Sequence, residues 1–143
     1  MNKGLRTFML VVAVGGLLAV LPATSMGGLG LGNLVASDFS KGKSALAVAT
    51  AKVSDPGKMS AVIKSSPRHR VAWGYTSYCF RTSPPGYSQW PPPGQYEDSV
   101  SVTPLRKTLK TGGLKDPDYC NVSVSAKLDY NSAKSVTAKI FNK

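Results

Sequence analysis

The chain has 143 residues, with 18 lysines and arginines against 7 aspartates and glutamates, a formal net charge of +11, one histidine and two cysteines. A chain of this size buries a single modest core rather than several. One histidine and no Cys-x2-Cys pair leave the common zinc motifs unfilled, and the positive balance favours anionic partners through long-range, salt-dependent attraction, with solubility alone as the alternative reading of dispersed lysines.

Lys3 and Arg6 precede the apolar run Phe8 to Leu21, which Pro22 breaks before the small residues Ala23-Thr24-Ser25. This is the pattern of a secretory signal peptide over residues 1–25, cleaved after Ser25, with Ala23 and Ser37 as alternative sites. The competing reading is a retained membrane anchor. The run is shorter than the roughly 20 residues of a spanning helix, and five glycines between Gly15 and Gly30 weaken any extension toward Leu31. No cysteine follows the run to carry a lipid. Cleavage removes Lys3 and Arg6, so the mature charge is two below the +11 of the full chain. The expected location is secreted, extracellular. Met26 to Lys43 is Gly-rich without period and reads as a flexible leader over residues 26–43. Residues 44–143 are the folded domain.

Within that domain, Ser44 to Val53 alternates Leu46, Val48, Thr50 and Lys52 with small residues, as a strand does. Asp55-Pro56-Gly57-Lys58 suits a type II turn, with proline second and glycine third. Met59, Ala61 and Ile63 then alternate inward, so residues 45 to 64 read as a hairpin. Ser65 to Arg70 is a polar loop carrying the lone histidine. Val71 to Cys79 is the central strand: Val71, Trp73, Tyr75 and Cys79 share one face, Ala72, Gly74, Thr76 and Tyr78 the other.

Residues 81–95 hold five prolines and two glycines and read as a loop of polyproline II character. Glu97 to Thr103 alternates with Val100 and Val102 inward, and Pro104 ends it. Arg106 to Lys110 is a basic connection and Thr111 to Asp118 a second loop. Cys120, Val122, Val124, Ala126 and Leu128 form one apolar face. A turn at Asp129 to Ala133 then leads to Ser135–Phe141, with Val136, Ala138 and Ile140 inward, as a closing hairpin. Six or seven short strands, almost no helix and no internal repeat predict an all-β fold, a β-sandwich.

Both cysteines fall on apolar strand faces, and two cysteines allow only one pairing. Cys79–Cys120 is therefore expected as a disulfide of an oxidising compartment, against the alternative of two free buried thiols.

The order of these features is a Pro-Gly turn, V-x-W-x-Y-x3-C from Val71 to Cys79, a Pro-rich stretch, Thr103-Pro104-Leu105, Cys120-x-Val-Ser-Val-Ser-Ala and a closing V-x-A-x-I strand. It resembles a group of short secreted actinobacterial β-sandwich proteins over about residues 45 to 141. The resemblance implies a small immunoglobulin-like sandwich and carries over no functional residue. Trp73 departs from the antibody pattern, because it precedes Cys79 on the same strand.

Catalysis needs convergent groups. His69 has Ser65 and Ser66 nearby in sequence, but nothing marks an orienting carboxylate or an oxyanion site. Glu97 and Asp98 are adjacent and face opposite ways on a strand. Asp116, Asp118 and Asp129 are scattered, and Gly112-Gly113 is a turn rather than a phosphate loop. Asn121-Val122-Ser123 has the form of a glycosylation sequon and is set aside for a bacterial chain. No catalytic residue, metal or cofactor is expected.

The surface feature above background is the proline loop, with Tyr87, Trp90 and Tyr96 embedded in Pro and Gly. Stiff segments lose little entropy on binding, and Trp and Tyr are favoured anchors. Arg81, Arg106, Lys107, Lys110 and Lys115 would lie near it, since Cys79 and Cys120 draw the loop bases together. The alternative is that Trp90 folds back to cap the core. The expected function is a non-enzymatic secreted protein that binds an anionic or polymeric cell-surface partner, such as a cell-wall polymer, through this loop and the basic connection. The alternatives are an inhibitor or toxin-like protein presenting Arg81 to Tyr96 to a secreted protein, and a membrane-anchored ectodomain with the signal uncleaved. Nucleic acid ranks below these.

Overall fold

The computed structural model describes residues 32–95, 98–128 and 135–143. Nine strands run through them: β1 Asn33–Lys41, β2 Leu46–Ser54, β3 Met59–Ser66, β4 Arg70–Thr82, β5 Pro85–Trp90, β6 Asp98–Val102, β7 Leu105–Thr108, β8 Tyr119–Leu128 and β9 Ser135–Asn142. No helix occurs among the described residues. The strands form two antiparallel sheets, one of four strands in the order β1-β9-β3-β7 and one of five in the order β2-β8-β4-β5. In the second, β6 pairs residues 70–74 of β4 while β5 pairs residues 77–82. The domain is an all-β sandwich, as the strand pattern predicts.

Alternation puts the apolar half of each strand between the sheets. Val71, Trp73, Tyr75 and Cys79 of β4 are buried, as are Cys120, Val122, Val124, Ala126 and Leu128 of β8. Met59, Ala61 and Ile63 face them from β3, and Val136, Ala138 and Ile140 from β9. In β2 the inward positions belong to Ala47, Ala49 and Val53, leaving Leu46 and Val48 exposed. The two large inward aromatics also have their polar ends satisfied. Trp73 donates from Nε1 to Ser101 Oγ at 3.1 Å, and Tyr75 Oη accepts from Lys110 N–H at 3.1 Å.

Cys79 and Cys120 form a disulfide between directly opposed residues of β4 and β8, with Cα atoms 4.1 Å apart. The bridge lies within one sheet, whereas in antibody domains it joins the two. It fixes the β4–β8 register, and a one-residue slip there would turn every buried side chain outward.

Several expectations are corrected. Residues 33–41 of the predicted leader are β1, paired along its length with β9, so the fold begins before residue 44. There Asp38 points inward and its Oδ2 accepts the Val48 N–H at 2.7 Å. An inward charge at a sheet edge blunts further pairing.

Neither predicted hairpin forms. β2 pairs β8 while β3 pairs β9, and β8 and β9 also lie in different sheets. Alternation satisfies a strand folded over onto the opposite sheet as well as one turned back within its own sheet. Gly57 has no positive φ; Asp55 does, at 46°. The glycine is required because a Cβ there would sit 1.9 Å from the Lys143 carbonyl oxygen. The predicted turn from Asp129 to Ala133 lies outside the described residues.

The proline stretch is not one loop, because residues 85–90 pair with β4 as a hairpin. Proline is compatible with the first position of an edge strand, where Pro85 stands. Val100 and Val102 point outward at 57% and 52% exposure. β6 pairs them with Ala72 and Arg70, on the solvent face of β4. The basic connection is partly a strand, β7, at the edge beside β3.

Two stability predictions follow from this core. Replacing both cysteines by alanine removes a 41-residue loop closure and should lower the unfolding free energy by about 4 kcal/mol. A urea titration reads this as a lower midpoint with a steeper slope, because the unfolded chain without the cross-link exposes more surface, and a loss under about 1 kcal/mol would show that the strand ladder alone sets the register. Ser60 is 7% exposed and its hydroxyl has no hydrogen-bond partner. Ser60→Ala should therefore stabilise the protein by about 1 kcal/mol in the same titration, since a lone buried hydroxyl costs desolvation without return.

Candidate binding face on the five-stranded sheet

The register places the outward residues of β2, β8, β4 and β5 in rows. One row runs Ser54, Tyr119, Phe80, Tyr87, and the next Lys52, Asn121, Tyr78, Gln89. Beyond them Thr50, Ser123 and Thr76 form a row of hydroxyls. Leu46, Lys127, Ala72 and Val100 make an apolar row with one lysine at the far end.

In the first row the rings touch. Phe80 stacks on Tyr119 with centroids 5.1 Å apart and planes 22° apart, and tilts against Tyr87 at 5.2 Å. Lys52 Nζ sits 4.1 Å from the Tyr119 ring centre, a cation held over a π face. Tyr87 is 53% exposed and its hydroxyl donates to Gln89 Oε1 at 2.9 Å. Next to this cluster lies an open groove of about 330 Å³, lined by Thr76, Tyr78, Gln89, Gln95, Ser123 and Ser125 among others. Its polar side chains are hydroxyls, amides and phenols. Such a surface offers hydrogen bonds and flat apolar rings to an uncharged, hydroxyl-rich ligand.

The residues expected from the sequence are dispersed. Tyr87 lies in the aromatic row. Trp90 pairs with Ser77, so it points to the inner side, half-buried against the core. Lys110 Nζ lies 4.1 Å above its ring. Trp90 and Lys110 are thus brought together, away from Tyr87. Arg81 is a brace: its Nε donates to the Pro84 carbonyl at 2.9 Å and its Nη1 to the Lys115 carbonyl at 2.8 Å. Arg106 and Lys107 stand on β7 in the other sheet. Tyr96 lies outside the described residues.

Phe80, Tyr119, Tyr78 and Gln89 were not singled out from the sequence. The available signal was the disulfide itself. Opposing Cys79 to Cys120 opposes Phe80 to Tyr119 and Tyr78 to Asn121, all on the face away from the core.

The His69 backbone is tied to Ser65 and Thr103. His69 N–H donates to Ser65 Oγ at 2.8 Å, and the His69 carbonyl accepts from the Thr103 N–H at 2.9 Å and from Thr103 Oγ1 at 3.0 Å. Among the described residues no three His, Cys, Asp or Glu side chains gather as a metal site, and no helix is long and apolar enough to cross a membrane.

Asp118 fastens the aromatic end of the face. Its Oδ2 accepts from the Thr82 N–H at 2.7 Å and from the Thr82 hydroxyl, while its own N–H donates to the Phe80 carbonyl at 2.8 Å. The two Thr82 hydrogen bonds hold its carboxyl below the ordinary value of 3.8, with a smaller contribution from the Arg81 charge. No protein-family model, curated protein or solved structure matches this chain.

A depressed folded-state pKa stabilises the fold above the unfolded value and ceases to do so as pH falls through the folded one. Asp118 should thus contribute fully above 3.8 and lose its contribution below it. Asp118→Asn should flatten the fall in stability as pH drops below about 4, measured by denaturant midpoints. Equal slopes for parent and variant would refute the role.

Proposed function

We propose that this is a secreted, non-enzymatic β-sandwich protein that binds a polymeric, hydroxyl-rich cell-surface ligand, a glycan chain, along the outer face of its five-stranded sheet. The observation that carries the reading is the continuity of the Tyr119–Phe80–Tyr87 row with the groove beside Tyr78. Aromatic faces stack on the C–H surfaces of sugar rings, and Thr76, Ser123 and Gln89 supply hydrogen bonds at strand spacing. Lys52 and Lys127 flank the face and suit a ligand with acidic substituents. The apolar run Phe8 to Leu21 and the disulfide both accord with export.

The test is retention on purified cell-wall polysaccharide. Tyr78→Ala combined with Tyr87→Ala should weaken retention roughly tenfold or more, at about 1 kcal/mol per lost ring contact, with little change in thermal midpoint because both side chains are exposed. Full retention in this variant together with loss in Trp90→Ala would move the site to the Trp90–Lys110 edge.

A further inference from the structure

The outer face of the four-stranded sheet has a different chemistry. Because Val136, Ala138 and Ile140 are buried, Ser135, Thr137, Lys139 and Phe141 of β9 face outward. Lys139 opposes Ser37 on one side and Val62 on the other, and Val62 opposes Arg106. Thr137 opposes Phe39 and Lys64, and Ser135 opposes Lys41. At the other end Leu34 opposes Phe141. Strand spacing puts Lys139 and Arg106 about 10 Å apart, two strands away on one row. Among the described residues no carboxylate shares this face: Asp38, the acidic residue of β1, sits at an inward position and is engaged by Val48.

Positive charge alone would suit any polyanion. Here it shares the sheet face with exposed apolar side chains: Phe39 is 60% exposed, and Leu34, at the opposite end of β1, is also open. Such groups are costly in water and gain by entering the headgroup region of a bilayer, where lysine stems extend to place their charges at phosphate level.

We infer that the outer face of the four-stranded sheet docks on an anionic phospholipid bilayer, with Phe39 and Leu34 inserted and Lys41, Lys64 and Lys139 on the phosphates. The reading is independent of the glycan face, which lies on the opposite side of the sandwich, so a docked molecule holds its groove away from the lipid.

Sedimentation of the full chain with vesicles tests it. Vesicles of phosphatidylcholine containing about 30% phosphatidylglycerol are compared with pure phosphatidylcholine. The apolar run Phe8 to Leu21 partitions regardless of headgroup charge, so the readout is the ratio between the two. The parent should prefer the anionic vesicles, and rising salt should erase the preference. Lys64→Gln with Lys139→Gln should weaken anionic binding about thirtyfold, while retention on polysaccharide stays at the parent level. Phe39→Ser should weaken binding to the same vesicles with an unchanged melting curve.

Equal binding to both vesicle types, or parental binding by the lysine variant, overturns the inference. So does loss in the lysine variant with none in Phe39→Ser, which would assign the face to a soluble polyanion. Should the lysine variant fold poorly, Lys64→Gln alone carries the comparison, with about a fivefold loss expected.

Discussion

The pairing of β4 with β8 is the constraint on which the other parts depend. The two strands lie at the middle of the five-stranded sheet and carry its largest inward side chains. Their register decides at once what is buried and what is shown to solvent. The Cys79–Cys120 bridge joins opposed residues of that ladder and so holds the choice in place. Every outward row of the candidate binding face is counted from it, from Phe80 and Tyr119 beside the bridge to Ala72 and Lys127 farther along. The loops answer to the same centre. Asp118 ties the approach to β8 onto Thr82 and Phe80 of β4, and Lys110 is held by Tyr75 and Ser77 of the same strand.

A sandwich has two solvent faces, and here they differ. On the five-stranded sheet neutral polar side chains and stacked rings predominate, with lysines at the margins. On the four-stranded sheet basic residues mix with exposed phenylalanine and leucine. The segregation follows from period two: once the inner faces are apolar, each strand's alternate residues are free to be specialised sheet by sheet.

The inward faces of β3, β4, β8 and β9 were legible in the sequence, because each alternates without interruption and β4 and β8 are anchored by cysteine. The connections were not. The pattern from Ala45 to Lys64 fits a hairpin as well as a crossing, and only tertiary pairing separates the two. Asp55-Pro56-Gly57 misled for a related reason: Gly57 answers to the close approach of Lys143, a residue distant in sequence, and not to turn geometry. Val100 and Val102 show the limit of hydrophobicity as a guide, since β6 takes its facing from Ala72 and Arg70 of β4. β1 escaped notice because its sequence, Asn33–Lys41, lacks a clean apolar alternation. For the site, attention went to the proline stretch, where tryptophan and tyrosine are conspicuous. The stretch proves to be an edge strand with those two rings on opposite sides, and the richer surface lies on strands read only for their cores.

The order in which the chain visits its sheets bears on how fast the domain can fold. Apart from the β4–β5 turn, most strands find their partners far along the chain, with β1 closing on β9 and β2 on β8. Such non-local closure makes assembly slow and leaves strand edges open meanwhile. The two β-edges that meet at Asp38 and Val48 are then exposed until the last strand is in position. Early oxidation of the two thiols would shorten that interval, by bringing the middle of the chain and its final third together before the outer strands are added.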